Sequence, residues 1–333
     1  MMARWIRILA IVLGLQVLLA GLLWWGARTP QEPGGEARFV DWSPEQVTAL
    51  TIEGPEGRSS VTLERRGGDW VIARLDDLPA AGARIEDLLR RLHEARVGAA
   101  VGTTASALKR FRVADQAYER RLTLRGPGNA TQVLYVGESA GPGRVYARVA
   151  GRDTAHELGV RRYEIGDTVA DWADKSLLQV DAGQIERVSI GEDVQLVHTD
   201  KGWGLAGSAQ SKPIDQKAAQ RLIDRLARIS FNDVLPASEA HKGESLVTVR
   251  IERKQGKPVV YRIYTRADEN KGAPEYLLRI EGKPWWFVVP GYAVAALVDA
   301  DRDKLLGEPQ AQGNAGEKAG EKAGSEPGVG ESP

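Results

Sequence analysis

Two serines lie in patterns that nucleophilic enzymes use. Gly137-Glu138-Ser139-Ala140-Gly141 matches G-x-S-x-G. That chemistry needs a strand, a sharp turn and a helix, which raise the serine hydroxyl over an oxyanion hole. Here an apolar strand at 133–136 leads into Pro142-Gly143 and a further strand, so the spacing predicts a hairpin. Ser106-Ala107-Leu108-Lys109 matches S-x-x-K, whose acyl transfer relies on S-D-N and K-T-G partners. Neither partner occurs in the chain. Ser106 reads instead as the N-cap of a short helix from Ala107 to Arg110.

Metal and acid–base chemistry find no better footing. His93, His156, His198 and His241 are scattered, with no H-x-x-H or H-E-x-x-H spacing. His93 falls beside the polar face of a helix and is expected to be exposed. Asp174-Lys175 and Asp303-Lys304 recur at matching places, which suggests caps or surface charge. No Walker loop or dinucleotide fingerprint is present. No catalytic, cofactor-binding or metal-ligating residue is therefore assigned, and no cofactor is expected. Trp285 and Trp286 are a different kind of candidate. Adjacent residues of a strand face opposite sides, so one of the two is expected to be exposed as a contact surface.

The elements that would position these residues repeat. The run 47–52 resembles 185–190, and 60–65 resembles 194–199. Each is a short alternating run suited to a half-buried strand. Tight turns then lead into strands bearing Trp70 and Trp203, read as core plugs between helix and sheet. Ile85, Leu88, Leu89, Leu92 and Ala95 lie on one helical face. Positioned 134 residues later are Ala219, Leu222, Ile223, Leu226 and Ile229. Strands 121–125, 133–136 and 146–149 have counterparts at 247–251, 259–264 and 276–280. The expected fold class is α+β, a tandem duplication of one unit. Each unit carries antiparallel β-meanders and an amphipathic helix, because the connections are mostly too short for parallel crossovers. The first repeat is placed at 41–180 and the second at 181–306.

Outside the repeats the composition changes. Residues 8–27 carry no charge, and eleven of these twenty are Leu, Ile or Val. A helix of that length spans roughly 30 Å, the thickness of a bilayer core. Arg4 and Arg7 precede it, and Trp24 and Trp25 stand where an interfacial aromatic belt belongs. The sequence thus predicts a cytoplasmic stub at 1–7, one membrane-spanning helix at 8–27 and a Pro/Gly-rich linker at 28–40. A cleaved signal peptide competes, but Trp24-Trp25-Gly26-Ala27 is a poor cleavage site. Residues 307–333 carry Gly-Glu-Lys-Ala twice and only Val329 as a large apolar side chain, so a disordered tail is expected.

Composition narrows the function classes. The 45 basic and 45 acidic residues give a formal net charge of zero, against a general nucleic-acid binder. The absence of cysteine excludes disulfides, thiolate metal sites and a lipoprotein anchor.

The chain also resembles the bacterial domain of unknown function 4340 family. The resemblance is carried by Asp69-Trp70-Val71 and the helix 85–95. It continues in Arg110-Phe111-Arg112-Val113, Val136-Gly137-Glu138, Tyr146-Ala147-Arg148 and Trp172-Ala173-Asp174-Lys175-Ser176-Leu177-Leu178. Members of that family are membrane-anchored and often encoded beside gliding-motility-type ABC-transporter components. The resemblance implies a non-enzymatic auxiliary or scaffold subunit of the inner membrane with its bulk in the periplasm. Its partners would be the membrane and other envelope proteins, an ABC-transporter permease among them. The alternative expectation is a periplasmic glycan- or peptide-binding module, with a groove between the repeats and Trp285 or Trp286 stacking on the ligand.

The anchor has a direct test. N-terminal sequencing of membrane-fraction protein should find a start ahead of residue 8. A mature start after Ala27 would overturn it.

Overall fold

The structure, a computed structural model, describes residue 16 and residues 37–206, 214–239, 243–266, 275–301 and 305–306. The expected stub, span and tail, with Arg4, Arg7, Trp24 and Trp25, lie outside these residues, apart from Gln16. Among the described residues no helix is long and apolar enough to cross a membrane.

The fold is α+β, built on two large antiparallel sheets. The first sheet's strands begin with β1 (Ala49–Glu53), β2 (Ser60–Arg66), β3 (Asp69–Ile72) and β4 (Leu78–Pro79). A small hairpin of β5 (Val113–Ala114) and β6 (Ala117–Tyr118) stands apart from it. The sheet resumes with β7 (Arg120–Arg125), β8 (Thr131–Gly141), β9 (Arg144–Val149) and β10 (His156–Leu158). Its order is β10-β9-β8-β7-β1-β2-β3-β4.

The second sheet contains β11 (Ile185–Ile190), β12 (Val194–Thr199), β13 (Gly202–Leu205) and β14 (Asp233–Leu235). It continues with β15 (Val247–Arg253), β16 (Val259–Thr265), β17 (Glu275–Ile280) and β18 (Trp286–Pro290). Its order is β13-β12-β11-β15-β16-β17-β18-β14. Read from the opposite edge, β18-β17-β16-β15-β11-β12-β13 follows the same path as β10-β9-β8-β7-β1-β2-β3. The sheets differ in the edge strand each adds, β4 in one and β14 in the other.

A helix crosses each sheet. α1 (Gly82–Glu94) buries Ile85, Leu88, Leu89 and Leu92. Those four side chains contribute roughly 6–12 kcal/mol of gross apolar burial, before chain entropy is subtracted. The helices α2 (Ala105–Arg110) and α3 (Val169–Trp172) are short. α4 (Gln216–Ala227) buries Ala219, Leu222, Ile223 and Leu226, with Ile229 buried just beyond its end. Asp215 caps α4 by accepting from the Lys217 and Ala218 amides. α5 (Gly291–Val298) follows β18 and packs beside α4. No helix was expected there, because its apolar side chains show no single face.

Two indoles pin the crossing helices. The buried Trp70 on β3 donates through Nε1 to Glu86 Oε1 at 2.7 Å. The buried Trp203 on β13 donates to Gln220 Oε1 at 3.1 Å. Opposite each indole, on the neighbouring strand, stands a cationic or aromatic side chain. Arg65 lies over the Trp70 ring at 4.9 Å and also pairs with Glu86. His198 meets Trp203 edge-on at 4.9 Å.

Both units share one apolar cluster. Four polar bonds cross the junction, one of them from Lys175 Nζ to the Phe231 carbonyl at 3.5 Å. Trp285 Nε1 donates to the Leu75 carbonyl at 2.6 Å, Tyr261 Oη donates to the Leu178 carbonyl at 3.3 Å, and the Val180 amide donates to the Ala227 carbonyl at 3.0 Å. Burial pushes the Tyr261 phenol up to about 12, so it stays a donor at any ordinary pH. Lys175 lies over the Phe231 ring at 4.1 Å, and partial burial lowers its pKa.

The proposed linker 28–40 ends sooner than expected. Phe39 and Val40 are fully buried, and the Gln132 amide donates to the Phe39 carbonyl at 2.9 Å. Apolar side chains that reach the core gain more from burial than from solvation.

A second layer covers the outer face of the first sheet. Leu108, Val113, Tyr118, Tyr135 and Ala155 form a separate small cluster under α2 and the β5–β6 hairpin. The buried Arg148 ties it down, donating to the Val113 carbonyl at 2.6 Å, pairing with Asp115 and lying 4.6 Å over Tyr135. The hydrogen bond from Arg148 holds the Asp115 carboxyl below its usual range.

Two outcomes follow from these contacts. Trp285→Phe leaves the Leu75 carbonyl without its donor and should lower unfolding free energy by about 2–3 kcal/mol in urea titration; an unchanged midpoint would remove Trp285 from the junction. For Asp115 the folded pKa is depressed, so its stabilisation is present above the unfolded value of about 3.9. It is lost as pH falls through the folded value. The gap in urea midpoint between the native chain and Asp115→Asn should be open at about pH 7 and close toward about pH 3. A gap that does not change with pH would refute the pairing.

Candidate functional site

The residues singled out in the sequence do not come together. Ser139 lies on β8 at the β8–β9 hairpin, and its hydroxyl donates to the Gly141 carbonyl at 3.2 Å. The glycines of that pattern have backbone reasons. A Cβ on Gly137 would stand 1.9 Å from the Phe111 carbonyl oxygen, and Gly141 has φ +131° at the turn. Ser106 is not the cap of α2. Thr104 is, accepting from the Ala107 amide at 3.2 Å, while Ser106 lies in the first turn and bonds Thr104.

The described histidines are held by separate partners. His93 is half-buried rather than exposed, against Arg38 and the Val40 carbonyl. His156 is buried, with ring nitrogens 2.9 Å from the Gly98 carbonyl and from Thr154 Oγ1. His241 lies outside the described residues. Asp174 caps a 3-10 turn by accepting from the Ser176 amide at 2.9 Å. Asp303-Lys304 lies outside the described residues.

Trp285 and Trp286 do not form an exposed platform. They are 6% and 2% exposed. Strand alternation does send them to opposite faces, but both faces are covered there. Trp285 enters the shared core, and Trp286 joins Tyr264, Leu277 and Val288 in a cluster of its own.

Among the described residues two aromatic side chains that the sequence did not single out are strongly exposed. Tyr163 is 70% exposed and Tyr292 is 77% exposed. Each stands eleven positions ahead of an Asp-Lys pair, Asp174-Lys175 or Asp303-Lys304. That matching spacing was a signal available in the sequence. Each also borders a groove beside the crossing helix of its unit.

The α1 groove, about 340 Å3, is lined by Arg84, Asp87, Leu88, Arg91, Tyr163 and Glu164. The α4 groove begins in a hollow of about 260 Å3 whose helix residues are Ala218, Arg221, Leu222 and Arg225. Those are the same four helix positions, 134 residues on. An adjoining hollow of about 610 Å3 shares Arg225 and Ala295 and is bordered by Tyr292.

The chemistry of the two grooves differs. In the α1 groove the charges neutralise one another. Arg91 pairs with Asp87 at 2.8 Å and with Glu164 at 3.4 Å, and Arg161 donates to the Tyr163 hydroxyl at 2.6 Å. In the α4 groove Arg221 stands where α1 has Asp87, and Ala293 follows Tyr292 where Glu164 follows Tyr163. Its acids sit at other positions, with Asp299 and Asp301 lining the same hollow as Arg221 and Arg225. Neither groove gathers a nucleophile with a base, and the arrangement suits recognition by hydrogen bonding and aromatic contact.

The family scan matches residues 70–245 to the family described as Domain of unknown function (DUF4340). That is just over half of the 333 residues. The chain belongs to the DUF4340 family. The matched span starts at Trp70 and contains both indole-pinned helices, the junction segment and the helix side of both grooves, and it ends ahead of β15. No curated protein and no solved structure matches the chain.

Proposed function

We propose that this DUF4340 protein is a non-enzymatic auxiliary or scaffold subunit of the bacterial inner membrane. It is anchored by residues 8–27, with its folded portion in the periplasm docking to an envelope partner. The observation that carries this reading is the pair of helix-flank grooves at matching positions, each bordered by a strongly exposed tyrosine. Exposed tyrosine with neighbouring arginine is the composition that protein interfaces enrich. Matching strand order, matching indole-to-helix bonds and the 134-residue offset support descent of the two units from one duplicated ancestor. The resemblance to transporter-associated proteins makes an ABC-transporter permease the partner of first choice.

The alternative of a glycan- or peptide-binding cleft between the units has lost its stacking surface, since Trp285 and Trp286 are buried.

Co-purification of the full chain in mild detergent tests the proposal. The native protein should bring down a transporter permease or ATPase, and Tyr163→Asp with Tyr292→Asp should reduce that recovery at least tenfold without lowering the yield of folded protein. Recovery of no transporter component by the native chain would overturn the scaffold reading.

A further inference from the structure

We infer that the hollow between β12, β13 and the Gln220 flank of α4 is a binding site for a guanidinium group brought by another molecule. It lies across α4 from the groove that Tyr292 borders, so it stands apart from the scaffold reading.

The first unit shows what this place in the fold holds. Arg65 of β2 lies over the Trp70 ring at 4.9 Å, pairs with Glu86 and donates to the Pro44 carbonyl at 3.4 Å. Glu86 Oε1 is a shared acceptor. The same oxygen takes the Trp70 indole N–H at 2.7 Å and the Arg65 guanidinium. An indole face, a side-chain oxygen and a turn carbonyl thus wall in one planar cation. A guanidinium suits all three at once, because its charge is delocalised over a flat fork of N–H donors.

The second unit builds the same three walls. His198 and Trp203 are cross-strand partners, as Arg65 and Trp70 are. Gln220 stands 134 residues after Glu86, and its Oε1 takes the Trp203 indole N–H at 3.1 Å. Its amide nitrogen donates to Asp224 Oδ1 at 2.9 Å, which keeps the oxygen at the edge of the indole. A side-chain carbonyl oxygen has two acceptor sites, and the indole uses one. The 3-10 turn Ala182–Gln184 precedes β11 as the turn Pro44–Gln46 precedes β1. The Ala182 carbonyl closes its turn by accepting from Ile185, as the Pro44 carbonyl does from Val47.

The occupant is what differs. An imidazole is shorter than an arginine side chain, and His198 stops edge-on to the indole, its ring centre 4.9 Å away. A hollow of about 230 Å3 remains, lined by Ala182, Gly183, Ile185, His198, Trp203 and Gln220. That leaves room for a guanidinium and the end of its methylene stem. A carboxylate backs each polar wall. Asp224 holds Gln220, and Asp181 accepts from the Gly183 amide at 2.9 Å. The first unit therefore carries its own ligand, and the second presents the same walls to one from outside. Arginine filling such a pocket is a common anchor of protein interfaces.

Nitrogen-15 labelling of tryptophan in the full chain in detergent tests the site through its indole resonances. Trp203→Phe identifies the Trp203 resonance, and Trp70→Phe that of Trp70. Titration with N-acetyl-arginine-methylamide should shift the Trp203 resonance saturably. The Trp70 resonance should stay in place, since Arg65 already fills that site. The neutral citrulline analogue should bind about tenfold more weakly, having lost the charge-assisted bonds. His198→Arg with Gln220→Glu rebuilds the first unit's arrangement in the second and should abolish the response. Unmoved resonances from the other indoles show that this variant is folded. No saturable Trp203 shift in the native chain at about 20 mM ligand, well above a millimolar Kd, overturns the inference. Equal binding of the lysine analogue would show a site for any cation and overturns it too. Free L-arginine separates the two sources of the group. Tighter binding than the blocked form supports a free guanidino compound as ligand, and equal or weaker binding supports an arginine side chain of a partner protein.

Discussion

The structure depends on pinning one amphipathic helix across each sheet. An indole can do this because it is apolar over most of its surface and donates at one point. Trp70 and Trp203 fill the space between strand and helix, and each Nε1 reaches a polar side chain on the helix flank. A leucine in either position would fill volume but leave the angular register of the helix free. The bond to Glu86 or Gln220 fixes which helix face turns inward. The opposite flank is thereby fixed as well, and that flank lines the grooves.

The junction has the complementary effect. Had the two units met through a polar cleft, the space between them would have been the natural binding site. Trp285, Tyr261 and Phe231 fill it instead, and the buried carbonyls of Leu75 and Leu178 are satisfied across the boundary by side-chain donors. Packing of this kind resists hinge opening, because separating the units would expose the indole and strip two carbonyls of their partners. The grooves that stay open lie on the outward helix flanks.

Much of this was legible in the chain. The alternating runs located β1, β2, β11, β12 and most of the later meanders, because period-two burial on a half-covered sheet writes itself into the residues. The helices were legible through Ile85, Leu88, Leu89 and Leu92 and their counterparts. α5 was not, since apolar residues on every side carry no periodicity. The short edge strands β10 and β14 were too brief to show a pattern. The tryptophan pair misled for a tertiary reason. Alternation correctly sent Trp285 and Trp286 to opposite faces, but it cannot reveal that a second small cluster covers the outer face. The grooves escaped notice because the reading followed apolar residues, whereas the exposed tyrosines are marked only by their distance from the Asp-Lys pairs.

The same helical positions carry opposite electrostatics in the two units, and this argues for divided roles. Asp87 and Glu164 make the α1 groove self-sufficient, so a ligand there must compete with ion pairs already formed. In the α4 groove Arg221, Arg225 and Arg228 make no ion pair among the described residues, although Asp224, Asp299 and Asp301 line the same hollows. A guanidinium with an unused planar fork accepts a carboxylate without first losing one. Two flanks on one rigid body can therefore differ in affinity without any difference in fold. The residues responsible are Arg221 where α1 has Asp87 and Ala293 where Tyr163 is followed by Glu164. Neither touches the core, which is why the pinned architecture tolerates both.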